Sequence, residues 1–329
     1  MQAAQLIAPS LVTNVTVTPP DKGSLVTGEV LVRVAAASIC GSDIPHFLRG
    51  GQTADSMRPT VGYPLHEIMG DVIATRSDDF EVGQRVVGWA SEMNGLAELV
   101  ITNAEKLALC DIELPPWEAV IAQPLACVLF AASRLGNVAG KDVAVIGLGA
   151  IGLMFCHVLK RAGARSVTGI DPINRAELKS SFGITHLVHA SSTEWVQNID
   201  EGSRAGVVIE AVGHQIVTLR DAIDATAVGG IVYCFGIPAL TAYPIDLTTV
   251  VRNNLTVSGG LTLNHRRYLR EACGYLTTDP FLARALVTHI LPMHEAQRAY
   301  DLASSPAPGR LKVVLVPTTS ELDEGGSNG

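Results

Sequence analysis

The sequence predicts an α/β protein: a doubly wound parallel sheet, preceded by a second part that is mostly β. Three observations carry this. Residues 143–146 are a short apolar run followed at once by Gly147-Leu148-Gly149-Ala150-Ile151-Gly152 and then by an apolar, helix-compatible run over 153–159. From there to residue 258, strand-like and helix-like stretches alternate, which is the grammar of a parallel sheet with crossover helices. Upstream, residues 1–109 read as short strands punctuated by turn clusters such as Pro19-Pro20-Asp21-Lys22-Gly23.

In order, residues 1–37 read as strands, with partial alternation in Leu31-Val32-Arg33-Val34-Ala35. Cys40-Gly41-Ser42-Asp43 has turn chemistry. Gly83-Gln84-Arg85-Val86 turns into a strand, and residues 95–109 make two short strands around Thr102-Asn103. Pro115-Pro116-Trp117-Glu118 opens a helix, since proline suits a first turn and glutamate the positive end of the dipole. A further helix covers about 126–135. After the glycine cluster a strand over 166–170 ends on Asp171. Then follow a helix near 174–182, strands at 186–189 and 207–209, a helix near 215–227, and strands at 231–235 and 255–258. From about 262 the pattern changes. A helix at 266–276, a strand at 287–290, a helix at 294–303 and a strand at 311–316 read as a return to the first part.

The bulk numbers narrow the class. A chain of 329 residues suggests about two domains, and 47% hydrophobic content is enough for a sizeable core. A net charge of −8 argues against nucleic acid or an anionic membrane as partner. The six cysteines are scattered, with no C-x-x-C, so neither a ribbon-type zinc site nor a disulfide framework is suggested, which fits a cytoplasmic location. No signal peptide is read at the N-terminus. The apolar run over 143–159 is interrupted by glycines and is read as strand, turn and helix, not as a membrane span.

The glycine cluster has a physical job at each position. Gly147 permits the tight turn out of the strand, Gly149 lets backbone approach a pyrophosphate, and Gly152 lets helix and strand pack closely. Ala150 and Ile151 open a helix whose free N–H groups face phosphate charge. Asp171 follows Gly152 by 19 residues, where a carboxylate accepts the ribose hydroxyls and repels a 2′-phosphate. Strand, glycines, helix, second strand and terminal acid in this order point to dinucleotide binding, and to NAD in preference to NADP. Arg175 is the nearby cation that could reach a phosphate.

A second group lies upstream: Cys40, His66, Glu67 and Gln123. Thiolate, imidazole and carboxylate oxygen are zinc donors, and a catalytic zinc keeps one position open. Taken singly, a cysteine is more often a small buried hydrophobe, and a histidine a satisfied polar residue.

The words Ile39-Cys40-Gly41-Ser42-Asp43, Leu65-His66-Glu67, Gly83-Gln84-Arg85-Val86, Gln123-Pro124-Leu125-Ala126 and the glycine cluster occur in that order. Over about residues 25–316 the chain thereby resembles the zinc-dependent medium-chain dehydrogenase/reductase superfamily, among its polyol, sugar and threonine dehydrogenases. The resemblance implies a GroES-like catalytic domain over 1–126 and 262–317 and an NAD-binding Rossmann domain over 127–261. Residues 318–329, rich in Ser, Glu, Asp, Gly and Asn, are expected to be a disordered tail. It also implies Cys40 and His66 as catalytic zinc ligands, Glu67 as the carboxylate that binds zinc or exchanges with water, and Gln123 as the ligand or water-orienting amide where many relatives carry Glu. Ser42 would take the substrate proton, Asp43 would orient the zinc-bound histidine, and Val212, Phe235 and Gly259 would line the nicotinamide pocket; ordinary strand-end packing is the other reading of those three.

Three departures from the family pattern stand out. The four-cysteine lobe often found between the positions of Trp89 and Gly95 is missing, so one catalytic zinc and no structural zinc is expected. The glycine that normally precedes His-Glu is Leu65. The relay histidine expected two residues after Asp43 is Pro45, with His46 one place later as its candidate substitute.

The expected activity is oxidation of a secondary hydroxyl of a polyol, sugar, cyclitol or aminocyclitol, with hydride passing to NAD. The alternatives are a zinc-free medium-chain reductase of enones or quinones, which normally lacks the Cys and His-Glu ligands, and a non-enzymatic NAD-binding protein. The expected partners are a small-molecule alcohol and further copies of the chain, as a homodimer or homotetramer.

Overall fold

The structure, a computed structural model, describes residues 1–50 and 60–317; the expected disordered tail 318–329 lies outside them. The chain divides into two compact units. One comprises Met1–Gln123, His265–Pro306 and the chain from Arg310 onward; the other comprises Pro124–Asn264 with Ala307–Gly309. The divisions fall three residues from the expected 126/127 and 261/262. The return of 307–309 to the second unit was not expected. Arg175 Nη1 donates to the Ala307 carbonyl at 3.1 Å and ties that segment there.

The second unit is built on six parallel strands. Their order across the sheet is His186–His189, Ser166–Asp171, Asp142–Ile146, Ala205–Glu210, Thr226–Cys234, Thr256–Gly259. The order reverses beside Asp142–Ile146, and ligands of such sheets bind outside the carboxyl ends of the strands at that reversal. Residues 143–146 are buried, as a strand covered on both faces requires. The helix Ala150–Arg161 follows, and Ile146, Ile170, Trp195, Val208, Ile223 and Val232 share a core. The helix expected at 174–182 is reduced to the 3-10 turn Ala176–Leu178. The Asn174 side chain takes the Ala176 N–H at 3.0 Å, an Asx contact that competes with helix formation, and Gly183 at φ +68° ends the segment.

In the first unit a seven-stranded sheet runs Val287–Pro292, Lys312–Val316, Glu29–Ser38, Glu67–Thr75, Arg85–Trp89, Leu107–Leu109, with Leu99–Asn103 also paired to Glu29–Ser38. All pairs are antiparallel except Val287–Pro292 with Lys312–Val316. Strands from the two ends of the sequence therefore share one sheet. Its core joins Leu6, Val34, Phe47, Leu65, Ile68, Leu96, Tyr300 and Leu315. The turn expected at Cys40–Asp43 leads into a short helix, Asp43–Arg49. Pro45 falls in its first turn, where the missing N–H is not needed, and Gly50 at φ +67° closes it. The Phe47 ring stacks on Tyr300, centroids 4.7 Å apart, which fixes the helix to Ala296–Ser304.

Candidate metal and cofactor sites

The donor group assembles in the first unit. One ligand atom each from Cys40, His66 and Glu67 lies within 4.8 Å of the others; among the described residues this is the one group of three or more such side chains found. Cys40 follows the strand Glu29–Ser38, and His66 precedes Glu67–Thr75. These two strands pair, with Ser38 opposite Glu67, so the register brings the donors together. Thiolate, imidazole and carboxylate at this spacing fit zinc.

Asp43 organises the donors. Its Oδ1 is 2.7 Å from His66 Nδ1 and its Oδ2 accepts the Cys40 N–H at 2.9 Å. A carboxylate on Nδ1 leaves Nε2 to coordinate, which is the outer-shell arrangement of metal-bound histidines. Burial acts to lower the His66 pKa, but the charge and hydrogen bond of Asp43, with help from Cys40, outweigh it and hold it well above the usual value.

The sequence reading missed what surrounds Glu67. Lys312 Nζ lies 2.6 Å from both of its carboxylate oxygens, and Ser38 Oγ also donates to it. Glu67, Lys312 and Ser38 are all buried. Burial works against the Lys312 charge, yet Glu67, Cys40 and Asp43 together raise its pKa above the ordinary value, so the pair is ionic. A lysine leading the otherwise apolar strand Lys312–Val316 was the available signal.

Leu65 is accommodated by the shortened segment after Trp89. It is fully buried, and a Cβ on Gly95 would come within 2.7 Å of Leu65 Cδ2, so Gly95 supplies the room. The same segment bonds the histidine strand directly: Ala90 N–H donates to the His66 carbonyl at 2.8 Å, and Leu65 N–H to that of Met93 at 2.9 Å. Ser42 stands at the N-cap position of the helix Asp43–Arg49, makes no side-chain capping bond, and is half-buried. His46, on that helix, meets Tyr63: Nδ1 and Oη are 2.5 Å apart. Gln123 is buried at the start of the helix Ala122–Ser133 in the same unit.

The second unit carries the nucleotide features. Gly147 has φ +92°, a conformation favouring glycine. A Cβ on Gly152 would lie 1.8 Å from the Gly147 carbonyl oxygen, so only glycine fits, whereas nothing lies within 4 Å of a Cβ on Gly149. That open backbone, with Ala150 and Ile151 beginning a helix of 12 residues, fits a pyrophosphate. Asp171 accepts the Leu148 N–H at 2.6 Å and the Ile173 N–H at 2.7 Å, holding the glycine loop against the second strand. Arg175 is buried and engaged with Ala307.

Val212, Phe235 and Gly259 sit at or just beyond the carboxyl ends of three neighbouring strands. Glu210 accepts the N–H groups of Val212 and Gly213 at 3.0 and 2.9 Å and the Thr218 hydroxyl at 2.9 Å, a buried acid shaping that loop. Phe235 packs edge-on against Phe155, centroids 5.1 Å apart.

A β-rich unit with a Cys/His/Glu donor group and a doubly wound unit with a dinucleotide loop together define a metal-dependent dehydrogenase. Family comparison agrees: residues 26–111 match the alcohol dehydrogenase GroES-like domain and residues 150–275 the zinc-binding dehydrogenase domain. The chain is 27% identical to L-threonine 3-dehydrogenase of Caldanaerobacter subterraneus, over 88% of this chain and 91% of that protein. With sorbitol dehydrogenase of Bacillus subtilis it shares 24% identity, over 88% and 90%. The solved alcohol dehydrogenase of Thermus sp. ATN1 superposes with a TM-score of 0.82 at 26% identity, over 96% of this chain and all of that one. The chain belongs to the zinc-type medium-chain dehydrogenase superfamily, and is an enzyme of its alcohol and polyol dehydrogenase kind.

Proposed function

We propose that the protein oxidises a secondary hydroxyl of a polyol, sugar, cyclitol or aminocyclitol to the carbonyl, with NAD as hydride acceptor and one zinc per chain. The observation that carries this reading is the Cys40, His66 and Glu67 donor group with His66 aimed by Asp43. Zinc held by Cys40 and His66, with Glu67 or Gln123 completing the set, would supply Lewis acidity that lowers the pKa of the substrate hydroxyl. NAD supplies the hydride chemistry.

The chain's own residues do the rest. Asp43 holds both Cys40 and His66 through one carboxylate. Lys312 balances the charge of Glu67, and Gln123 brings none. With zinc bound, the Cys40 thiolate would then be the one anionic donor without a counter-charge, and the metal would be a stronger Lewis acid than in a set with a second free carboxylate. Ser42 Oγ takes the substrate proton. Asp171 favours NAD, since a carboxylate there repels a 2′-phosphate, and Arg175 is buried, with Nη1 on the Ala307 carbonyl.

The other partner is a second copy of the chain. Thr256–Gly259 is an edge strand of the six-stranded sheet. Val257 on it, Leu247 and Val251 on the helix Leu247–Arg252, and Val228 are exposed by 36, 62, 67 and 70%. Exposed apolar side chains of this size beside an unpaired edge strand favour a homodimer, or a homotetramer built from it. The free thiols suit a reducing cytoplasm.

Elemental analysis of the purified protein, followed by NAD reduction with a panel of polyols and cyclitols, tests the reading. About one zinc per chain and reduction with at least one alcohol are expected. No zinc after supplementation would move a zinc-free reductase to the front, and about two would overturn the single-site assignment.

A further inference from the structure

His46 stands one residue past the place where the family pattern puts a histidine, and the structure gives it a companion. Ser42 has helical backbone angles at the start of Asp43–Arg49, φ −73° and ψ −18°. Ser42 and His46 are four residues apart, so they lie one above the other on one helix face. Nδ1 of the imidazole meets the Tyr63 hydroxyl at 2.5 Å, with the rings edge to face at 82° and centroids 5.6 Å apart. Both rings are half-buried, so each keeps a part in solvent. Tyr63 comes from the turn that leads through Pro64 into His66, so it is fixed to the same frame as the donor group. The charged groups around His46 are Asp43, Arg49 and His66; burial, Arg49 and His66 together outweigh Asp43 and keep the ring below its usual pKa.

We propose that Tyr63 and His46 form the outward arm of the proton path, with Tyr63 the positioning residue that selects the His46 tautomer. When Nδ1–H donates to Tyr63 Oη, Nε2 keeps its lone pair and faces the proton held by Ser42. As Nε2 takes that proton, Nδ1 passes its own to Tyr63 Oη, and Tyr63 releases its original hydroxyl proton to water. One proton enters the arm and one leaves it with no net change of charge, and the ring, left with Nε2–H, returns to its starting tautomer by exchanging protons with water before the next turnover. Phenol and imidazole thereby do the work for which the pattern has a histidine two residues after Asp43, where this chain has Pro45. The inference rests on the alcohol oxidation proposed above.

The test is Tyr63→Phe, assayed in weakly buffered solution with and without added imidazole, alongside zinc content and NAD affinity. The expected result is a fall in kcat of about tenfold, within what one proton-transfer group contributes. KM, zinc content and NAD affinity should be unchanged, and added imidazole should restore part of kcat. A second comparison covers the case in which the phenol also supports the turn. Tyr63→Phe in a His46→Gln background should cost little beyond His46→Gln alone, because both act in one arm. Unchanged kcat in Tyr63→Phe, a loss that imidazole does not relieve, or losses that multiply in the double variant would overturn the inference while leaving wild-type alcohol oxidation intact. A wild type that reduces no NAD with any alcohol of the panel would overturn the proposed function and this inference with it.

Discussion

Lys312 Nζ sits 2.6 Å from both carboxylate oxygens of Glu67, and the two side chains are 5% and 0% exposed. The pair joins the strand that begins at Glu67 to the last described strand of the chain, across 245 residues of sequence. Lys312 also donates to the Ile39 carbonyl at 3.2 Å, next to Cys40, so one ammonium braces two sides of the donor group.

Lys312→Met should leave a buried carboxylate with no counter-charge. Removing one partner of a buried ion pair costs about 3–5 kcal/mol. We expect that loss in chemical unfolding followed in the presence of a chelator. Glu67→Gln combined with Lys312→Met should recover most of it, because the charge and its partner are then both gone. Equal losses in the single and double variants would remove the pair from the account.

Asp43→Asn should keep an acceptor for the Cys40 N–H but present an amide to His66 Nδ1, which no longer favours the tautomer with Nε2 free to coordinate. Loss of such an outer-shell carboxylate typically costs 10–100-fold in metal affinity. Competition with a chromogenic chelator measures it, and unaltered zinc affinity would show that His66 is aimed by its packing alone.

Asp171→Ser should weaken NAD and relax discrimination against NADP. A hydrogen bond to a charged group contributes about 1.5–3 kcal/mol, so the ratio of kcat/KM for NAD over NADP should fall by roughly ten- to a hundredfold. Because Asp171 also holds the Leu148 N–H, affinity for both cofactors should drop. A preserved ratio would assign Asp171 to the loop only.

The Arg165 guanidinium and the Ser166 hydroxyl hold the Asp142 carboxyl down, from the usual 3.8 to about 2. A depressed carboxylate pKa contributes stability that is present above the unfolded value and is lost as pH falls through the folded one. The contribution of this pair should therefore be complete above about pH 4–5 and vanish toward pH 2. Both groups are partly exposed, so the effect is small. Thermal unfolding of Arg165→Met against wild type should differ most near neutrality and converge at about pH 2; a gap that persists there would assign the effect to packing.

Much of the nucleotide unit was legible because its determinants are local. Gly147, Gly149 and Gly152 lie within one turn and its helix, and the strand at 143–146 announces itself as a short apolar run. Local signals were also overlooked. The helix Ser192–Gln197 begins with a capping box formed by Ser191 and Glu194, a pattern visible in the sequence. The helix expected at 174–182 failed for the opposite reason: the α/β alternation suggested it, and the Asn174 side chain diverted the backbone.

By itself the sequence determined the class of fold and the glycine loop, since these depend on residue type and short spacing, while the order of its motifs, through the family resemblance, pointed to Cys40, His66 and Glu67 as the candidate donors. Tertiary structure alone decided how those donors are held. That Glu67 faces Lys312, that Gly95 makes room for Leu65 and that Tyr63 meets His46 follow from strand pairing and turn geometry. Such contacts join segments tens to hundreds of residues apart, and no period or motif encodes them. Burial then fixes their weight: in a dry interior an unpaired charge is costly, so the fold had to bring Lys312 to Glu67, although nothing near Glu67 in the sequence signals it.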